Sequence, residues 1–443
     1  MRQAFLTVDL GFGDAGKGAI VDFLACTYAS HTVVRYNGGP QAAHRVVTAG
    51  PCPQEHVFSQ FGSGTLAGSA THLSRFMLLD PLAMVAEEEH LQILGIADAF
   101  ARTTIDARAL VITPFQRAAN RLQELARGDG RHGSCGMGIG ETMADHLQYG
   151  TQVLFARDLS NPAVLTTKLR FLQAINLTKV QSLLPHLPNT EQVALELDML
   201  RAGDGLAWLG DAYRDFATRA HIVAPEHLRT ILQWPGTVIF EGAQGVLLDE
   251  WYGFHPHTTW STTTLAHADC LLEECGYRGE ITRLGLTRCY ATRHGPGPLV
   301  TEDAMLTAAL PDACNSFGPW QRDFRVGWLD LVMLRYALAV VGPLDALVVT
   351  CLDRLRELPM LQICRRYDYD TFTIDHLVRS PLPRSLSYQE QLTHNLARCR
   401  PLLETVPDVT TLLDLLTTEL GLPIQIISEG PTAEDKQLSL VTD

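Results

Sequence analysis

The sequence lacks any apolar run long enough to cross a bilayer as a helix, which takes ~20 residues. Its strongest candidate, ALAVVGPLDALVVTCL (337–352), is interrupted by Gly342, Pro343 and Asp345. The opening residues MRQAFLTVDL hold neither the apolar h-region nor the cleavage site of a secretory leader, so a cytoplasmic protein that meets no membrane is expected. Basic residues are in short supply. With 35 Lys and Arg against 49 Asp and Glu, the formal net charge is -14 and the pI about 5.6. Nothing is left over to displace the counterions of nucleic acid, which argues against that partner. Cys-x-x-Cys spacings and metal-ligand patterns are also missing, and the ten scattered cysteines read as thiols in a reducing compartment. Charged residues make up 19% and hydrophobic ones 46%, which excludes intrinsic disorder and leaves ample material for a core.

What is present alternates between strands and helices. AFLTVDL (4–10), HTVVRY (31–36), TVIFEG (237–242), ALVVTCLD (346–353) and PIQIIS (423–428) are apolar, β-branched runs ending in small or polar residues. Helical spacing separates them in AIVDFLACTY (19–28), PFQRAANRLQELAR (114–127) and LDLVMLRYALAVV (329–341). This order predicts an α/β fold around a mostly parallel sheet, with ligands at the carboxyl ends of its strands. RSPLPRSLSYQE (379–390) reads as a loop. No internal repeat and no composition shift marks a boundary, so residues 1–443 are expected to form one large domain.

The most informative stretch is VDLGFGDAGKGAIVD (8–22). Gly11, Gly16 and Lys17 keep the G-x-x-x-x-G-K spacing of a phosphate-binding loop between a strand and a helix. Gly13, Gly16 and Gly18 would let backbone N–H groups approach phosphate, and Lys17 would add a charge. The Ser or Thr that should follow the lysine is replaced by Gly18, and a carboxylate, Asp14, lies inside the loop. An ordinary nucleoside triphosphatase loop has no need of that carboxylate.

Other turns are less specific alone. RYNGGPQAAH (35–44) brings Gly39, Gln41 and Ala43 to His44, a general-acid candidate. GSCGMGIG (133–140) carries Ser134 and Cys135 in a third glycine-rich turn, and EGAQG (241–245) presents the Gln244 amide after a strand. Arg288, Arg293, Arg322 and Arg325 suit bidentate anion recognition but equally a solvated face. Asp353 follows a strand, where it could accept two N–H groups from guanine or cap a helix.

Taken in order, these motifs, with TRHGPGPLVTED, VGWLD, VVTCLD and SEGP, resemble the adenylosuccinate synthetase family over most of the chain. The resemblance implies a P-loop-NTPase-like fold, a single large domain with helical and small β insertions, and a GTP-dependent ligase using Mg²⁺. Such an enzyme phosphorylates the 6-oxo group of IMP or a related purine and replaces it with the amine of aspartate or a related amino acid. Asp14 would be the base that deprotonates the purine and a Mg²⁺ ligand, with Ala43 a second metal contact. Lys17 would neutralise the transferred phosphoryl group, His44 would assist the leaving β-phosphate oxygen and Gln244 would hold the 6-oxo region. Gly13, Gly16, Gly18, Gly39, Gln41, Ser134, Cys135 and Thr259 would contact nucleotide phosphate, and Asp353, Ser428 and Gly430 the guanine base. Arg322, Arg325 and Trp320 fall on the amino-acid loop. A homodimer is implied as well.

The chain departs from that family's pattern at both substrate ends. Phe324 stands in place of an arginine, Pro319 and Trp320 in place of threonines, and Gln41 in place of Asn. SCGM (134–137) replaces T-T-G-R, Gln148 and Tyr149 stand where a partner-subunit arginine is expected, and Cys351 replaces a lysine. These changes predict weak use of IMP with aspartate. The competing outcome is that the remaining arginines rearrange to cover both charges. A synthetase for a modified purine in specialised metabolism and a non-catalytic GTP-binding module are the alternatives. Retention of Asp14, Lys17, His44 and Gln244 together opposes the last.

Overall fold

A computed structural model describes residues 2–203, 205–312, 315, 317, 318 and 320–439. Ten strands form the central sheet: β1 Arg2–Asp9, β2 Thr32–Arg35, β3 Ala70–Leu73, β4 Thr103–Asp106, β5 His221–Val223, β6 Gly236–Glu241, β7 Glu280–Arg288, β8 Ala346–Thr350, β9 Ile424–Ser428 and β10 Lys436–Leu438. They lie in the order β10-β9-β8-β7-β1-β6-β2-β3-β4-β5. Every pairing is parallel except β9 with β10 at one edge. The inner strands read as continuous apolar runs because both faces are covered: from Ala4 to Asp9, all of β1 is buried. Phe5 and Ile239 pack in a cluster with Ile20 and Leu24 of helix α1 (Lys17–Tyr28), while Leu6 and Phe240 join a larger one with Leu331 and Tyr336 of helix Leu331–Val341.

Helix α2 is Pro81–Ile93. Between β4 and β5 the chain inserts a helical lobe: α3 Pro114–Arg127, α4 Ile139–Tyr149, α5 Pro162–Gln181, α6 Glu191–Arg201 and α7 Gly205–Arg219. Its core gathers Phe115, Leu122, Leu169, Leu172, Leu200 and Phe216. Helix α3 occupies the very residues that its sequence spacing predicts, because Thr113 and Gln116 form a reciprocal cap and Pro114 fills the first turn. Two antiparallel strand pairs stand apart from the central sheet, the hairpin His44–Val47 with Glu55–Phe58 and the pair Ala291–His294 with Phe324–Gly327. The expected loop at 379–390 is corrected in its second half. Leu386–Leu396 is helical, with Gln389, Leu392 and Leu396 buried on one side of it.

The carboxyl ends of β1, β2, β6, β7, β8 and β9 all release motif residues. Residues 10–16, 36–43, 242–249, 289–290, 351–353 and 429–431 therefore meet along one edge of the sheet.

Candidate active site

The glycine loop is organised around a residue that sequence reasoning passed over. Asp9, the last residue of β1, accepts backbone N–H groups from Gly11 (2.8 Å), Gly13 (3.4 Å) and Ala15 (2.8 Å). Lys17 donates to the same carboxylate at 2.8 Å and to the Gly13 carbonyl at 2.7 Å. The cradle thus holds an internal anion. The absence of a hydroxyl after the lysine also has a steric cause. A Cβ on Gly18 would lie 2.8 Å from the His44 backbone carbon, so only glycine allows α1 and the His44 hairpin to approach so closely. Gly245 plays the same part from the other side, since a Cβ there would meet the Gly11 carbonyl at 2.2 Å.

His44 begins its hairpin strand and is buried. Its Nδ1 lies 2.5 Å from Glu241 Oε1 at the end of β6. Glu241 also accepts the Ser63 N–H at 2.9 Å and the Ser63 hydroxyl. Burial pushes His44 down to about 4, against the pull of the Glu241 carboxylate. Burial raises Glu241, but the Arg35 charge and the His44 and Ser63 hydrogen bonds outweigh it and hold the carboxyl at about 2. The resting pair is a neutral imidazole and a carboxylate. Nδ1–H donates to Glu241, which leaves Nε2 without a proton.

Asp14 is placed by its backbone: its carbonyl accepts Arg288 Nε at 2.5 Å. Its Oδ2 is buried without a hydrogen-bond partner. His294 Nε2, which donates to Asn315 Oδ1 at 3.1 Å, stands 3.7 Å from that oxygen. Both residues open onto a cavity of about 620 Å³ that also takes in Gln41, Ala43, His44, Ser134, Cys135, Gln244 and Thr259. The structure therefore brings eight candidate residues, Asp14 and those seven, to one space, and adds His294, which sequence reasoning did not single out. Asn37 ties two of their motifs together, exchanging hydrogen bonds with Ala243 in both directions and donating to the Thr262 carbonyl. Gln244 turns through a left-handed φ of 66°, a conformation costing of order 1–3 kcal/mol that its packing must sustain.

The candidates for the base end lie elsewhere. Asp353 sits inside the short 3-10 turn Leu352–Glu357, whose capping position is Cys351, so it does not cap a helix. Ser428, at the end of β9, donates to the Gly430 carbonyl at 3.2 Å. Lys436, which the sequence did not point to, donates to the Gly430 carbonyl (2.9 Å) and the Thr432 carbonyl (2.6 Å). Burial lowers its ammonium to about 8, opposed by Asp435, Asp22, Cys351 and Asp353.

The arginines divide sharply. Arg293 is 1% exposed and donates to the carbonyls of Pro296, Pro298 and His257. Arg325 pairs with Glu302 and donates to the carbonyls of Gly295 and Gly297. Arg288 binds the Asp14 carbonyl, Tyr290 and Asp312. The solvated-face reading fails for Arg293, which is a buried strut. Arg322 is half-exposed and 4.0 Å from Asp129. Trp320 stacks with Arg121, its ring 5.3 Å away, and crowds Gly136. Pro319 lies outside the described residues. Phe324 packs 4.8 Å from the His294 ring.

Comparison with known proteins decides the family. The adenylosuccinate synthetase family model matches residues 7–437. The chain belongs to the adenylosuccinate synthetase family. Adenylosuccinate synthetase of Trichormus variabilis is 31% identical over 454 residues, covering 97% of this chain and 93% of the relative. The Chlorobium chlorochromatii enzyme is 31% identical over 443 residues, covering 98% and 96%. Fully ligated adenylosuccinate synthetase from Plasmodium falciparum has the same fold, with a TM-score of 0.76 at 20% identity over 98% and 99% of the two chains. Cyanophage S-2L succinoaminodeoxyadenylate synthetase, solved with dGMP and with dATP as energy donor, follows at 0.61 and 14%, over 99% and 95%. As an adenylosuccinate synthetase family member, the chain is a GTP-dependent, Mg²⁺-using ligase that forms C–N bonds. Among the described residues, no helix is long and apolar enough to cross a membrane.

Proposed function

We propose that this ligase activates the 6-oxo group of a purine or purine-like ring with GTP and replaces it with the amine of an amino acid. Asp14 takes the ring N–H proton while the oxo oxygen bonds to the γ-phosphorus and the bond to the β-phosphate oxygen breaks, releasing GDP. The amine nitrogen then bonds to the ring carbon, the carbon–oxygen bond breaks, and inorganic phosphate leaves as the amine gives up a proton. Phosphorylation matters because an oxo group is a very poor leaving group and a phosphoryl ester a good one.

One observation carries this reading: a loop carboxylate, one oxygen of which is buried with no hydrogen-bond partner and only His294 at 3.7 Å, lines the same cavity as Gln244 and the His44 turn. His44, held by Glu241 through Nδ1–H, acts on the leaving β-phosphate oxygen as the imidazolium, donating from Nε2 the proton it takes up as phosphate charge enters the site. Gln244 positions the oxo region, and Lys17 neutralises phosphate charge once released from Asp9. Asp353 reads guanine. The donor set at the loop mouth fits Mg²⁺, since the Asp14 carboxylate and the backbone carbonyl of Ala43, on the same cavity wall, are hard oxygen ligands. Bound there, the ion would offset charge on the transferred group. A homodimer accompanies this reading by family likeness.

Phosphate release from GTP that requires both a 6-oxopurine compound and an amino acid tests the proposal. Release with no dependence on the acceptor, or none with any acceptor, overturns it. A second reading, a synthetase for a modified purine or a less acidic amine, is favoured by the engagement of Arg293, Arg325 and Arg288 with their own chain. Those guanidinium groups have few N–H donors to spare for a second carboxylate.

A further inference from the structure

We infer that the acceptor half of the cavity is built for a neutral, hydroxyl-bearing purine nucleoside and not for a 5′-monophosphate. The inference rests on the reading above that the acceptor is a purine. The cavity is about 620 Å³ and extends past Asp14 and Gln244 to α3, α4 and the Thr258–Trp260 turn, so its wall has room for more than a base.

That wall is poor in available cations. Among the described residues that line it, the guanidinium groups are Arg127 and Arg293. Arg293 is consumed by three carbonyls and stacks 4.2 Å from the Phe12 ring. Arg127 donates to Glu124 at 2.5 Å. Behind the glycine-rich turn, Arg121 is held by Glu196 and the Gly136 carbonyl, and Arg117 by Asp80. Burial lowers the histidines His132 and His257 on this wall, which disfavours their charged forms. Carboxylates outnumber these cations. Asp14, Glu124 and Glu141 all line the space. Glu141 shares the single ammonium of Lys179 (2.8 Å) with Asp145 (2.6 Å). Glu141 also sits in the first turn of α4, where the helix dipole would otherwise favour a phosphate. A phosphate dianion would enter beside fixed negative charge while both lining guanidinium groups of the described residues stay engaged with their own chain, an expensive way to bury an ion.

The same wall suits hydroxyl groups. Both Nε2 and Oε1 of Gln41 are buried without partners, and one amide can donate to and accept from a hydroxyl without bearing charge. Gln123, Asn120, Ser134 and Thr259 add neutral polar groups, and Glu141 can accept from a sugar hydroxyl. Trp260, 43% exposed and lying over Gly140, offers a flat apolar face.

Calorimetry on the full chain, with MgCl₂ and a non-hydrolysable GTP analogue present, tests this without knowledge of the amine donor. Inosine is expected to bind at least about tenfold more tightly than IMP, the scale set by one uncompensated charge contact. Glu141→Gln should narrow that gap by strengthening IMP, and Ala144→Arg, which adds a cation to the same face, should narrow it further. Binding of the GTP analogue shows that each variant is folded. IMP binding more tightly than inosine, or an unchanged ratio in both variants, overturns this inference and leaves the ligase reading standing. If neither purine binds while the GTP analogue does, the purine reading falls and this inference with it.

Discussion

The Lys17 ammonium lies 2.8 Å from Asp9 Oδ2, with the two side chains 1% and 0% exposed. The lysine proposed to meet phosphate is therefore neutralised by its own chain at rest. Replacing Asp9 by Asn leaves an acceptor for the loop N–H groups but strands a buried ammonium, at a cost of ~3–5 kcal/mol. GTP phosphates can supply the missing anion. The rise in thermal midpoint on adding GTP should thus be several degrees larger for Asp9→Asn than for the wild type. Equal increments in a thermal-shift series would show that Lys17 does not turn to the nucleotide.

Asp14→Asn should lower kcat by ~10²–10⁴-fold, the usual worth of a general base, while GTP binding changes little. Its Oδ2 makes no hydrogen bond and has only the long 3.7 Å contact with His294, so the substitution disturbs little of the local structure, and a loss of activity reads on chemistry. Single-turnover phosphate transfer separates this outcome from a defect in binding. Retention of more than about a tenth of wild-type kcat rules out the base assignment.

Much of the fold was legible in the sequence because its inner strands are apolar on both faces and each ends at a glycine or polar turn. α3 was readable to the residue from its cap and proline. The 379–390 stretch was misread because Pro381 and Pro383 masked the helical spacing of Gln389, Leu392 and Leu396 that follows. The site was legible where its chemistry is local, as at Asp14 and Lys17. It was not where it depends on distant residues. Glu241 looks like an ordinary strand end until Ser63 and His44 arrive on it from other elements. Likewise Arg293 is polar in sequence and a buried strut in the fold, since its partners are carbonyls, which no sequence pattern reports.

Glu241→Gln should cost nearly as much activity as His44→Ala. The carboxylate fixes the proton on Nδ1 and compensates Arg35, which is fully buried and leaves Nε and Nη2 without partners. Each single variant is expected to lose ~10²-fold or more in kcat, with the double variant no worse than the weaker single, because the two residues act as a unit. Strictly multiplicative losses in steady-state assays would separate them.

GTP should be preferred to ATP by tenfold or more, since hydrogen bonds to a charged group contribute ~1.5–3 kcal/mol each and Asp353 can accept two from guanine. Asp353→Asn should compress that ratio while leaving kcat with saturating GTP close to wild type. Competition between the two nucleotides for phosphate release measures it. Equal use of both by the unaltered enzyme would place base recognition elsewhere, with Lys436 the next residue to vary.

Asp330 gives the pH dependence a definite sign. It caps helix Leu331–Val341, accepting N–H groups from Val332 and Met333 at 3.1 Å each, and its other oxygen accepts the Tyr367 hydroxyl at 2.6 Å. Burial outweighs those hydrogen bonds and raises the carboxyl from 3.8 to about 6. In the folded state the group holds its proton up to that pH, whereas in the unfolded chain it has lost it by pH 4–5. Between these values the folded state binds more protons, so stability contributed by this group falls as pH rises, by up to about 3 kcal/mol across the window. Asp330→Asn removes the titration but keeps a capping acceptor and a partner for Tyr367. Whatever fixed cost the amide brings is the same at both ends of the range. The stability of the variant relative to wild type, from urea denaturation, should therefore rise between pH 4 and pH 7. A difference that stays constant over that range would mean that Asp330 is ionised throughout and that its hydrogen bonds, not burial, set its charge.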